Sequence, residues 1–469
     1  MTAHELLSKA RAAGIKLWLD GDELKFKAPK GAFTPEIKSQ LIKFKPEVIA
    51  FLRNAKTIDD SGKEAIPKVD DAEKYPLSFA QQRLWFIEQL DPGDISYNIP
   101  IALRLTGAVD VNVLNKVFRE IINRHEALRA GFENHQGEGW QRIKDLGSWA
   151  IVVDDLSELS EYRQEQSLKK FLYREATISF DLVKDTLIRA KLFRLSEHEA
   201  VLITTMHHIV SDGWSMGVLI KEVGILYNAF AQGLPSPLPP LEIQYKDFAC
   251  WQRQWLQGAV LERQLDYWRK QLADVPVLEL YTDKVRPAIT GHQGAIQTFT
   301  IPTELSQKIK QLSQQQGTTL YMTLLAAFNI LLYRYTGQAD FAVGSPIANR
   351  TRPELEPLIG FFVNTLALRA DLSSGSGGEP SFIECLKRVQ ATTLDAYDHQ
   401  DIPFEKIVDE LNIERSMSHT PLFQVMFVLQ NAMDEKFSLP GLSLETIKLD
   451  RETAKFDLQL GFVEHDDQL

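Results

Sequence analysis

The sequence predicts a mixed α/β fold built from more than one domain, and three observations carry that prediction. At 469 residues, 44% hydrophobic and 10% aromatic, the chain has enough apolar side chains for large buried cores. Ala200-Val201-Leu202-Ile203-Thr204-Thr205 reads as a buried strand, and Met216, Leu219, Val223, Leu226 and Phe230 follow it at helical spacing. Leu234-Pro235-Ser236-Pro237-Leu238-Pro239-Pro240 can be neither a helix nor a central strand, so it reads as a crossover between two lobes.

Composition removes several function classes. The net charge of −11 argues against nonspecific nucleic-acid binding. The longest apolar run, Leu324 to Tyr333, is interrupted by Asn329 and is too short to cross a bilayer, so no membrane span is expected. The first residues lack the basic-then-apolar pattern of a secretory signal, and two distant cysteines, Cys250 and Cys385, suggest no disulfide framework; a cytoplasmic location is the expectation. The charge is uneven. Residues 1–53 hold eight Lys and two Arg against six acidic residues, a basic cap on an acidic body.

In chain order, Leu6, Leu7 and Ala10 mark a helix, and Lys16–Leu19 and Leu24–Lys27 alternate around Asp20-Gly21-Asp22 as a hairpin. Thr34-Pro35-Glu36 opens a second helix and Pro46 a third. Residues 1–53 thus form a small α+β unit, in which Lys25, Lys27 and Lys30 line the hairpin and its exit. Residues 54–74 are polar, charged and without period, a linker. The body follows as residues 75–240 and 241–469, with a long helix expected from Tyr245 to Leu272 and, over Phe341–Arg350, a strand running into a loop.

The chain is organised around His207-His208-Ile209-Val210-Ser211-Asp212-Gly213-Trp214-Ser215, a turn between the buried strand and its helix. Strand side chains alternate faces, so the two imidazoles should diverge, which argues against a two-histidine metal site. Taken alone, such a pair is more often core packing than chemistry. Asp212 and Gly213 fit a tight turn that needs local hydrogen bonding and freedom at φ. Cys250, among Phe248, Ala249 and Trp251, reads as a packed thiol, and a Cys-His or metal hydrolase is disfavoured.

The His-His-x-x-x-Asp-Gly string resembles the signature of nonribosomal peptide synthetase condensation domains and, more distantly, of chloramphenicol acetyltransferase. Six further stretches resemble the remaining motifs in order: Ser78–Trp85, expected on a capped helix, Arg124–Arg129, expected on a helix, Tyr245–Trp251, Ile359–Leu366, His399–Glu405 and Arg415–Leu422. Residues 1–53 resemble the TubC-type N-terminal docking domains that precede such enzymes.

The resemblance implies two chloramphenicol-acetyltransferase-like lobes forming a V, with the central motif in a channel between them. It implies a peptide-bond-forming acyltransferase of the subtype that accepts an L-configured donor. His208 is the expected base, grouped with His207, Asp212 and Gly213 as the catalytic set. Arg350 is expected to pair with Asp212 as a structural ion pair, and Ser345, Trp214 and Ser215 to lie along the substrate channel. His125 and His399 are expected to pack, not react. No cofactor or metal is expected in the chain, since the substrates ride on phosphopantetheine arms of partner carrier proteins. The implied partners are an upstream and a downstream peptidyl carrier protein and an acidic C-terminal segment of an upstream synthetase laid against Lys25, Lys27 and Lys30, with a homodimer through the docking unit as a further option. Family members usually continue past the strand near Phe456–Leu460, so a shortened second lobe is expected. The alternatives are an epimerization domain, which shares the string but normally follows a carrier domain, and a non-catalytic recruitment module of the same fold.

Overall fold

The computed structural model describes residues 16–20, 23–27, 65–288, 291, 293–374, 378–411, 418–431, 439, 441–449, 454–464 and 468–469. The chain divides into two compact units, residues 1–66 and 67–469. In the first, β1 (Lys16–Asp20) and β2 (Glu23–Lys27) pair antiparallel, with Trp18 opposite Lys25 and Lys16 opposite Lys27. The three expected helices of this unit, Lys30 and most of the linker lie outside the described residues.

The second unit is built on two main sheets. A five-stranded sheet has the order β13 (Ser443–Ile447), β4 (Asn98–Thr106), β9 (Glu199–His207), β8 (Ile188–Ser196), β7 (Val152–Asp155). Its central strand β9 is buried at every residue except the first, because helices cover both faces. Val201 and Ile203 pack on Leu168 and Leu172 of helix Glu161–Thr177. Leu202 and Thr204, on the opposite face, meet Leu114 and Phe118 of helix Val111–Arg124 and Met216 and Leu219 of helix Gly213–Ala231. A small sheet, β3 (Tyr75–Pro76), β6 (Glu138–Ile143) and β5 (Ala130–His135), lies beside them in sequence.

The other main sheet runs β11 (Asn364–Asp371), β10 (Asp340–Ile347), β12 (Val425–Asn431), β14 (Leu458–Glu464). Here β10 and β11 are antiparallel while β12 is parallel to both β10 and β14. Its core joins Phe341, Val343 and Phe427 to Leu325 and Phe328 of helix Leu320–Thr336.

Four sequence expectations need correction. The division at residue 240 fails for β13, which lies late in the chain yet pairs with β4 from Ser443 opposite Thr106 to Ile447 opposite Ala102. A strand's backbone donors are satisfied wherever an open edge offers a ladder, and composition cannot say which edge. Residues 67–74 are not a free linker: the Val69 N–H donates to Asp247 Oδ1 (2.9 Å), the Ala72 N–H to the Tyr75 hydroxyl (2.8 Å), and Lys246 pairs with Asp71 (3.4 Å). The helix expected from Tyr245 to Leu272 is two, Tyr245–Trp255 and Gly258–Gln271, broken where Gly258 takes φ +53°. Helix Val111–Arg124 ends before His125, which is extended and precedes a short 3-10 turn, Glu126–Arg129.

Candidate active site

The central string leaves β9 at His207, passes through a 3-10 turn at His208–Val210 and enters the helix that starts at Gly213. The two rings diverge. His207 is 3% exposed and packs edge-on against Phe180 (5.9 Å). Its Nδ1 accepts from the Ile209 N–H (3.1 Å). Burial holds this imidazole far below its usual range, at about 3, with the neighbouring His208 adding to the effect, so it is a neutral packing group.

His208 is half-buried, edge-on to Phe361 at 4.9 Å and to Tyr97 at 6.5 Å. Its Nδ1 lies 2.8 Å from the Ser211 carbonyl oxygen. A carbonyl can only accept, so Nδ1 carries the hydrogen and, in the neutral ring, Nε2 carries a bare lone pair. Burial, followed by the positive charge of Lys455, lowers the proton affinity of this ring to about 4, partly opposed by Asp212. Near neutral pH, His208 is therefore an acceptor.

Asp212 is consumed by the fold. Oδ1 accepts from the Ser215 N–H (2.8 Å) and hydroxyl (2.7 Å) and meets the Arg350 guanidinium at 3.3 Å, while Oδ2 accepts from the Phe362 N–H (2.9 Å). Arg350 also donates to the Ser215 hydroxyl (2.9 Å) and to the Leu355 and Leu358 carbonyls, and stacks over the Phe362 ring at 4.2 Å. The Asp212 and Arg350 side chains are 3% and 1% exposed. Ser215 further joins the Gly360 backbone on both sides, its hydroxyl 2.8 Å from the carbonyl and 3.1 Å from the N–H.

Tyr245 completes the frame. Its hydroxyl donates to the Phe361 carbonyl (2.6 Å), so at 2.7 Å it accepts from the hydroxyl of Ser78, which caps helix Phe79–Leu90. A Cβ on Gly360 would lie 2.1 Å from the Tyr245 ring, so only glycine allows that approach. The first, central, fourth and fifth motif stretches thus converge on Gly360–Phe362, whose middle residue touches His208.

Residues 71–469 match the family model described as Condensation domain, and residues 4–54 that described as TubC N-terminal docking domain. The chain belongs to the condensation domain family. One of the linear gramicidin synthase subunits of Brevibacillus parabrevis is 48% identical over 392 residues, 83% of this chain and 5% of that protein. Malpinin synthetase of Mortierella alpina is 46% identical over 409 residues, 87% of this chain and again 5% of the other. The matched part of this chain therefore spans about a twentieth of these relatives' length. Among solved structures, the complex of the X-domain and OxyB from teicoplanin biosynthesis contains a match with TM-score 0.77 and 29% identity, covering 87% of this chain and 88% of that one. The first condensation domain of the calcium-dependent antibiotic synthetase, in complex with a substrate analogue, shares the fold: TM-score 0.68, 19% identity, 83% and 87% covered.

Within this condensation domain several residues sit differently from expectation. Gly213 is exposed and not in the positive-φ region, and a Cβ there would meet no protein atom within 4 Å. Neither turn geometry nor packing requires glycine at that point; what it leaves is open space at a helix start. Ser215 is fully buried in the Asp212 network, so it does not line a channel. Ser345 is 3% exposed and takes a hydrogen bond from the Tyr321 hydroxyl (2.6 Å), so it too is framework. Trp214 is exposed, its indole N–H donating to the Glu356 carbonyl (2.9 Å). His207 and Asp212 are buried as well, with His207 Nδ1 and both Asp212 oxygens engaged by protein.

The expected packing histidines are engaged elsewhere. His125 is 1% exposed, held between Glu222 (2.8 Å) and the Ile359 N–H (3.2 Å), and His399 stacks on Tyr267 at 4.1 Å. Burial pushes the Cys250 thiol up, away from thiolate character. Among the described residues no cluster suits a metal ion, and no helix is long and apolar enough to cross a membrane. Tyr97, beside both histidines, belongs to none of the motif stretches, so only the fold reveals it.

Asp212→Ala strands the Arg350 charge in the interior, and should cost about 3–5 kcal/mol of unfolding free energy in urea titrations; a wild-type midpoint would show the pair is dispensable. Both histidines bind protons less readily folded (about 3 and about 4) than at their ordinary 6.5, so the unfolded chain gains protons first. Their contribution to stability is complete above 6.5 and is lost as pH falls towards 4. The urea midpoint should decline between about pH 7 and about pH 5, and less steeply in His208→Gln.

Proposed function

We propose that this condensation domain joins two carrier-bound acyl groups by amide formation. A peptidyl or aminoacyl thioester arrives on an upstream carrier protein, and an aminoacyl thioester on a downstream one. The observation that carries the reading is the His208 ring, whose Nδ1–H is engaged by Ser211 so that Nε2 is left as an acceptor. The acceptor amine donates an N–H to Nε2 and attacks the thioester carbonyl. As the C–N bond forms, the proton passes to Nε2. Collapse of the tetrahedral species breaks the C–S bond, and the proton goes on to the departing pantetheine thiolate.

Charge developing on the carbonyl oxygen has a natural partner in the helix start. The first N–H groups of a helix carry positive potential, and although Asp212 takes the Ser215 N–H, the helix start is open at Gly213, where a Cβ would meet no protein atom within 4 Å. An α-amine has an ordinary pKa of about 7.7–8.0, so a useful share is already neutral near pH 7. Holding two tethered reactants in attack geometry can supply roughly 7–11 kcal/mol, against roughly 10²–10⁴ in rate from a general base. Orientation dominates, and His208 serves it first as a hydrogen-bond acceptor.

A second reading has a specific ground. The X-domain of teicoplanin biosynthesis, 29% identical here, is found in complex with OxyB, so a recruitment module of this fold is the rival. For the docking unit we propose an acidic C-terminal segment of an upstream synthetase as partner, received by Lys25, Lys27 and Lys30.

Incubation with both loaded carriers should yield condensed product by intact mass. His208→Ala should reduce it by at least about 100-fold while the protein keeps its melting temperature. Carrier binding without product from the wild type would instead favour recruitment. The double substitution Lys25→Glu, Lys27→Glu should weaken binding of an acidic peptide about tenfold or more in fluorescence anisotropy, an effect fading with added salt; an unaltered dissociation constant would remove the surface.

A further inference from the structure

The described residues just before β14, in the second main sheet, reach the active site. Lys455 is one of them. Its Nζ sits 4.1 Å over the Tyr97 ring, and the Tyr97 ring centroid is 6.5 Å from those of both His207 and His208. Tyr97 is itself fixed by the backbone, since its carbonyl accepts from the His208 N–H (2.8 Å). The ammonium is thus held over an aromatic face that itself stands beside both imidazoles, a placement that favours a cation whatever its other contacts.

We propose that Lys455 is a positioning residue of the condensation site, whose charge keeps both the His208 ring and the incoming amine unprotonated. A nearby cation makes adding a proton to either base costlier. An imidazolium could not accept the amine's N–H, and an ammonium has no lone pair for attack, so one charge guards both halves of the reactive pair. The charge acts among others. Asp212 at the helix start opposes it at His208; Arg83, Glu405 and Asp94 act on Tyr97; Asp94 and Arg189 act on His207 behind. Lys455 is the largest charged influence on His208 after burial itself.

The part about the amine rests on the condensation reading; the part about the ring does not. The test therefore has two arms on the full chain with Lys455→Gln and Lys455→Arg. In the first, histidine ring nitrogens are followed by ¹⁵N NMR from about pH 8 downward, with His208 assigned by the His208→Gln variant. Protonation of His208 should begin about half to one pH unit higher in Lys455→Gln and stay at the wild-type position in Lys455→Arg. In the second, product formation with loaded carriers should fall severalfold in Lys455→Gln near pH 6.5, recover towards wild type near pH 9, and be preserved in Lys455→Arg. An unmoved His208 titration overturns the proposal, and so does a rate loss equal at all pH values. A wild-type protein that forms no product sinks the condensation reading, while the first arm still decides what Lys455 does to the ring.

Discussion

The Asp212 carboxylate is the constraint on which the site depends. It caps the helix that begins at Gly213, pairs with Arg350 and holds the Phe362 backbone, so one buried anion joins its own helix start to a stretch that lies 138 to 150 residues further on. Burying a charge is unfavourable unless each of its lone pairs is met, and here both oxygens are. The geometry is therefore all-or-none. A small displacement of any partner leaves an unmet charge, so Gly360–Phe362 cannot drift and Phe361 stays against His208.

That rigidity suits the proposed condensation, which asks little of any single side chain. A thioester is an activated acyl donor and an amine near its pKa is already a nucleophile, so what remains is alignment. The site supplies fixed polarity: one imidazole locked in the Nδ1–H form by Ser211, a helix start facing open space at Gly213, and a cation held on Tyr97. The second histidine contributes by packing. Its ring, closed in by Phe180, sets the end of β9 and hence the point from which the His208 turn departs.

Much of this was legible in the residues. The alternation of β9, the capping serine before helix Phe79–Leu90, the hairpin of β1 and β2 and the Asp212–Arg350 pairing are each announced by local pattern or by the motif string. The misreadings share one cause. Ser215 and Ser345 look like channel hydroxyls in a list of motif residues, yet burial turns both into framework, and sequence does not state which side of an element is covered. Gly213 looks like a turn glycine, while its backbone is ordinary and its role is to leave room.

By itself, the sequence determined the family, the elements around the central string and the imidazole proposed to act as acceptor, because periodicity, capping and motif spacing are local properties of a chain. Only the tertiary structure decided that β13 completes the first sheet, that Tyr97 and Lys455 stand beside His208, and that Asp212 faces protein instead of substrate. Those outcomes depend on which distant surfaces meet, and a contact between residues hundreds of positions apart leaves no trace in the pattern of either one.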